Sequence, residues 1–126
     1  MRTKVLFSIK PKFADAILEG TKTFELRRVV FRSPTVRKIV IYASNPVGLV
    51  IGEFMVDGIL AFEPEKLWAL TGKGAGVDQE LFFDYFRGCE IGFALKVHRP
   101  KRYAKPLRLG KHFGLCRPPQ SFCYLP

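Results

Sequence analysis

Two strand-like stretches follow each other with only a turn between them, and this constrains the fold more than any other feature. Lys38–Ala43 (KIVIYA) is a short apolar run of the kind that forms a buried strand. Leu49–Phe62 (LVIGEFMVDGILAF) is a long β-rich stretch, with Gly52 and Gly58 marking a bend or bulge. The link between them, Ser44-Asn45-Pro46-Val47-Gly48, is turn chemistry throughout. Strands that succeed each other without intervening helices exclude a doubly wound parallel sheet.

The remaining elements fit around that core. Lys4–Lys10 alternates as a first strand, and Pro11 opens a helix over residues 11–19 at a position where its missing N–H costs nothing. Phe13, Ala14, Ile17 and Leu18 give that helix an apolar face, and Gly20 ends it as a left-handed cap. Residues 22–31 read as a strand, with Phe24 and Leu26 on one face and Thr23, Glu25 and Arg27 on the other. Glu63-Pro64-Glu65 opens a second helix carrying Leu67, Trp68 and Leu70; Thr71–Gly76 (TGKGAG) reads as a flexible loop. Asp78 caps a third helix that runs to Arg87, with Leu81, Phe82, Tyr85 and Phe86 as its apolar face. Glu90–His98 is a strand, Lys105–Leu109 a short last one, and the tail from Gly110 to Pro126 reads as irregular but packed. The expected fold is α+β: one domain over residues 1–126, a small, mostly antiparallel β-barrel of about six strands with about three short helices.

A chain of 126 residues can bury one sizeable core without disulfides or metal. No apolar run approaches the roughly 18 residues of a membrane helix. Val5–Ile9 is also shorter than a secretory h-region of about 7–15 residues, so no signal peptide is expected. Cys89, Cys116 and Cys123 fit neither a disulfide framework nor paired zinc spacings, even with His98 and His112 near Cys116. They read as reduced thiols of a cytoplasmic protein, with no metal and no cofactor expected.

Charge is segregated along the chain. Residues 1–38 carry ten basic and three acidic side chains, residues 39–95 three and eight, and residues 96–126 eight and none, within a net charge of +10. If the basic ends meet in the fold, they form a positive surface suited to a polyanion, of which nucleic acid is the commonest; charge alone serves RNA or DNA. Within Lys96–Arg117, Tyr103, His112 and Phe113 lie among the cations; Tyr103 and Phe113 read more readily as core than as stacking platforms.

Gly72-Lys73-Gly74 is not a phosphate loop: no strand precedes it, and glycine rather than Ser or Thr follows the lysine. The informative segment is Gly20–Arg28. Lys22, Glu25 and Arg27 fall within one turn and one strand start, so two cations and one acceptor could grip a ligand. The bland alternative is that Glu25 and Arg27 simply pair as a surface bridge worth about 0–1 kcal/mol.

Gly20-Thr21-Lys22-Thr23-Phe24-Glu25-Leu26-Arg27 matches the G-x-K-x-x-E-x-R pattern of the ASCH domain family. Ser8-Ile9-Lys10-Pro11 and the helix after it resemble the family's first strand and helix. Tyr42-Ala43-Ser44-Asn45-Pro46, Lys105-Pro106-Leu107 and Pro118-Pro119-Gln120-Ser121-Phe122 are similar to segments of its small prokaryotic single-domain members. The resemblance implies a PUA-like barrel with a cleft between the first helix and the second strand, suited to RNA or a modified nucleoside. Lys22, Glu25 and Arg27 are the carried-over positions, Gly20 holds the turn, and Lys10, Ser44, Gln120 and Ser121 are their neighbours.

The leading expectation is an RNA-binding domain, as in a regulator of transcription or translation. Two alternatives stand beside it: a hydrolase acting on RNA or an acylated nucleoside, and a sensor of a nucleotide-like metabolite. As a ribonuclease, Lys22 and Lys10 would stabilise a phosphorane and Glu25 would act as base. The amidohydrolase branch of the family uses a Lys and a Thr three residues later; that position is Glu25 here, and Thr23 is one register off.

Overall fold

The computed structural model describes all 126 residues. The chain runs β1 (Lys4–Ile9), α1 (Pro11–Glu19), β2 (Phe24–Arg27), β3 (Lys38–Ala43), β4 (Leu49–Phe62), α2 (Pro64–Thr71), α3 (Gln79–Tyr85), β5 (Gly92–Leu107), α4 (Leu109–Phe113) and β6 (Phe122–Leu125). The strands form a single six-stranded sheet in the order β2-β5-β4-β3-β1-β6. β1 runs parallel to β3; every other pairing is antiparallel. The basic ends of the chain do meet, because β1 pairs with β6.

The sheet is strongly curled, and alternation along its strands sorts the core. Val5, Phe7 and Ile9 of β1 point into the curl, where Ala14 and Ile17 of α1 fill it together with Ile39, Ile41 and Phe54. Leu6 points outward to a second cluster with Val40, Val50 and Leu109, which α4 covers. On the outer side of β2 and β5, Leu26 and Ala94 pack against Leu67, Phe82 and Phe86 of the α2–α3 region. Trp68 lies 5.0 Å from the Phe82 ring, as a core residue. Register breaks at three places between β4 and β5 and once between β3 and β4 tighten the curl.

No backbone ladder joins the edge strands β2 and β6, so the sheet is a half-barrel with an open seam between β2 on one side and β6 with the end of β1 on the other. Arg27 bridges the seam with its side chain. Its Nη2 donates to the Ser8 carbonyl on β1 (3.1 Å), and its Nη1 donates to the carbonyl and hydroxyl oxygens of Ser121 just before β6 (3.3 and 3.2 Å). Its guanidinium lies 4.0 Å from the centre of the Phe7 ring.

Several expected boundaries change. The strand expected over 22–31 has only four paired residues, because β5 is its sole ladder partner. The two strands expected at 90–98 and 105–109 are one strand, β5, interrupted by a bulge rather than a loop. The tail is not irregular throughout: it contains α4, a fourth helix packed through Leu109, and β6, paired with β1. Residues 72–74 form a 3-10 turn followed by the buried Ala75, not a flexible loop. The third helix stops at Tyr85, two residues short of Arg87; its expected cap is present, with Asp78 Oδ1 accepting from the Leu81 amide (2.8 Å). Gly20 caps α1 at φ +89°, as its position predicts. Tyr103 is half-buried and donates to Glu53 Oε1 (2.9 Å), which agrees with a core role.

Two predictions follow from this packing. Arg27→Met leaves the Glu25 carboxylate buried without its cation, and urea denaturation should show a loss of about 3–5 kcal/mol. Combining it with Glu25→Gln should recover part of that loss. At Gly52 a Cβ would sit 2.6 Å from the Lys101 carbonyl oxygen and 2.8 Å from Leu18 Cδ2. Backbone cannot yield as a flexible side chain does, so Gly52→Ala should cost about 1–3 kcal/mol in the same assay.

Candidate functional site

The open seam holds a cleft of about 460 Å³. Its base is built by the turn after α1. The Gly20 cap lets the amides of Thr21 and Lys22 both donate to the Ala16 carbonyl (3.0 Å each), which aims Lys22 inward. The segment after α2 then closes over it: the Thr23 amide donates to the Gly74 carbonyl (2.8 Å), and Lys22 Nζ donates to the Ala75 carbonyl. Glycine is needed at residue 76 for this. The backbone there has φ +70°, and a Cβ would lie 2.8 Å from Lys22 Cγ. The Gly-rich TGKGAG segment is therefore a cover for the lysine stem.

Lys22 is 3% exposed, Glu25 5% and Arg27 7%, so three charged side chains are buried together. Arg27 Nε donates to Glu25 Oε2 at 3.0 Å. The simple pair foreseen from the strand spacing exists, but it is buried at the base of the cleft and is not a solvated surface bridge. Arg27 commits all three of its nitrogens to protein acceptors, which makes it a holder of the site. Glu25 Oε1 makes no protein hydrogen bond, yet no buried side-chain polar atom lacks a partner, so this oxygen faces the open cleft. Burial pushes the Lys22 ammonium below the ordinary lysine range; Glu25 opposes that shift and Arg27 adds to it. Lys22 Nζ also lies 5.4 Å from the centre of the Phe13 ring.

Of the residues singled out in the sequence, Lys10, Lys22, Glu25, Arg27, Ser44 and Gln120 all line this cleft. Lys10 is exposed at the mouth, at the start of α1. The Ser44 amide donates to the Ile9 carbonyl (2.9 Å), placing the turn after β3 beside it. Ser121 is not in the lining; it acts one step back, on Arg27. The tail is fastened there by two bonds from Ser8, its amide to the Ser121 carbonyl (3.0 Å) and its hydroxyl to the Pro119 carbonyl (2.6 Å). Thr23 is exposed and absent from the lining.

Sequence reasoning missed the apolar walls. Phe13 of α1 and Leu81 and Tyr85 of α3 looked like core positions, but they line the cleft, with Leu81 46% and Tyr85 40% exposed. Leu81 and Tyr85 are four residues apart and so share one face of α3; that spacing marks a face without saying what it meets. The Tyr85 hydroxyl donates to the Leu26 carbonyl at a long 3.4 Å, and burial holds the phenol above its usual range. No cluster of three or more His, Cys, Asp or Glu side chains suited to a metal is present, and the three cysteines are free. No helix is long and apolar enough to cross a membrane.

The profile of the ASCH domain matches residues 7–98. The chain is 34% identical over 126 residues to an ASCH domain-containing ribonuclease of Zymomonas mobilis, an alignment covering 98% of this chain and 85% of that one. The crystal structure of ASCH from Zymomonas mobilis superimposes with a TM-score of 0.92 at 31% identity, covering 100% of this chain and 90% of that chain. A single-substitution variant of the Zymomonas protein superimposes with a TM-score of 0.90 at 30% identity over 99% of this chain and 91% of that one. A match of this length in both sequence and fold leaves one conclusion: the chain belongs to the ASCH domain family.

Proposed function

We propose that this protein acts on RNA as a ribonuclease, with the reaction in the seam cleft. The observation that carries the reading is the burial of Lys22 and Glu25 in one cleft, the carboxylate anchored by Arg27 through one oxygen and open to the cleft through the other. The full-length similarity to a relative described as a ribonuclease supports cleavage over binding alone.

The chemistry suits internal transfer within RNA. Glu25 Oε1 takes the proton of a ribose 2′-hydroxyl, and the 2′-oxygen bonds to the adjacent phosphorus. The bond from phosphorus to the 5′-oxygen breaks, leaving a 2′,3′-cyclic phosphate. Lys22, whose lowered proton affinity makes its ammonium a stronger acid than an exposed lysine, gives a proton to the departing 5′-oxygen. Glu25 ends protonated and Lys22 neutral, and exchange with water restores both. Lys10 at the mouth offsets phosphate charge, and the Phe13, Leu81 and Tyr85 walls meet the apolar faces of the base. The amidohydrolase alternative loses support, because Thr23 lies outside the lining.

Two tests address this reading. With labelled single-stranded RNA, Glu25→Gln and Lys22→Met should each lower the cleavage rate by about 10²–10⁴-fold, while thermal melting confirms that both variants fold. Intact RNA with the wild type, retarded but never shortened, would reduce the protein to a binding module. The second test is the pH profile. Lys22 must be charged to act as acid, so the rate should fall as pH rises through its lowered value. That limb should lie below the ordinary lysine value of 10.5 and move upward in Lys22→Arg.

A further inference from the structure

We propose that the outer half of β5 is a second RNA-binding surface, separate from the cleft, which grips the phosphates of a long strand; the proposal rests on the RNA reading above. β5 carries Lys96, Arg99, Lys101, Arg102 and Lys105 and no acidic residue from Gly92 to Leu107. All five cations are exposed. Arg102 pairs with Asp15 of α1 (3.0 Å); Lys96, Arg99, Lys101 and Lys105 form no ion pair. Of the acids on the neighbouring β4, Glu53 opposite Lys101 is already occupied by Tyr103 and Lys38, and Asp57, in the register break facing Lys96, forms no ion pair. Four unneutralised cations therefore lie along about 25–30 Å of strand, at roughly 3.3 Å per residue less the bulge.

The backbone supplies a separate argument. Arg99 is the one non-glycine residue with a positive φ, at +50°. It sits in the register break of β5 between the pairs Met55–His98 and Glu53–Lys101. A left-handed arginine is strained, and a bulge re-aims the side chain it carries. Glycine would relieve that strain, so the charge at residue 99 has a use that its fold does not require. The ribbon also begins beside the site: Lys96 pairs with Phe24 of β2, the strand that bears Glu25 and Arg27. RNA threaded through the cleft could continue onto it. Cations on an otherwise uncommitted strand read phosphates, not bases, so this surface would confer length preference rather than sequence preference.

The experiment compares wild type with Lys96→Gln/Arg99→Gly/Lys101→Gln/Lys105→Gln, using a long single-stranded RNA and a dinucleotide. Affinity for the long RNA, measured across a salt series, should fall at least about tenfold at low salt, and the slope of log K against log salt should shrink by about 2–3. Dinucleotide cleavage, which needs only the cleft, should be unchanged. Arg99→Gly alone should raise the melting temperature while weakening long-RNA binding. Unchanged affinity and slope would overturn the proposal, as would an equal loss of dinucleotide cleavage, which would make the ribbon part of the cleft. Binding of phosphatidylserine vesicles in place of RNA, lost in the same variant, would also overturn it. If wild type cleaves nothing, the cleft reading fails, and the salt slope still decides the ribbon.

Discussion

Everything in this molecule hangs on one arginine spanning a gap that the sheet leaves open. Arg27 projects from the edge strand β2 and reaches the Ser8 carbonyl on β1, the Ser121 oxygens before β6, the Phe7 ring inside the curl and the carboxylate two residues back. A planar guanidinium suits such divided bonding because its donors are fixed in a fork. Ladder pairing would have closed the barrel completely. Closure by a side chain leaves room for a cleft whose floor is polar and whose frame is rigid.

The energetic cost of that floor is high. Two cations and one anion are buried within a few residues, and removing charges from water costs several kcal/mol per ion before pairing repays it. The compensation is local and complete. Glu25 is held by Arg27, Arg27 by four oxygen acceptors, and Lys22 by a backbone carbonyl from the segment after α2. Lys22 has one carbonyl as its partner, and burial lowers its proton affinity; Glu25 opposes that shift and Arg27 adds to it. A charged floor under apolar walls from α1 and α3 suits a ligand with an anionic backbone and flat apolar faces.

The legible parts were those whose causes are local. Gly20 ends α1 because a left-handed cap needs glycine, and Asp78 caps α3 because its side chain reaches an amide three residues on. Alternation put Glu25 and Arg27 on one face of β2, where they pair and, with Lys22, line one cleft. The parts that stayed hidden were those held from far away in sequence. Four residues of β6 have no reason to be a strand until β1 lies beside them, and five residues of α4 cannot hold a helix without the cluster that Leu109 joins. β5 looked like two strands because Arg99-Pro100 breaks its pattern, yet its partner β4 carries it across the bulge.

The amino-acid sequence by itself determined the class of fold, the turn that aims Lys22, the grouping of two cations with one carboxylate, and the imbalance of charge between the ends and the middle. These follow from spacing, caps and composition, which act over a few residues. Tertiary structure alone decided that the seam stays open, that Ser8 and Ser121 meet Arg27 across 94 residues of chain or fewer, and that Leu81 and Tyr85 wall a cleft instead of filling a core. Those outcomes depend on how far a twisted, bulged sheet curls before its edges meet. That distance is set by the packing of all six strands together, and no short stretch of sequence contains it.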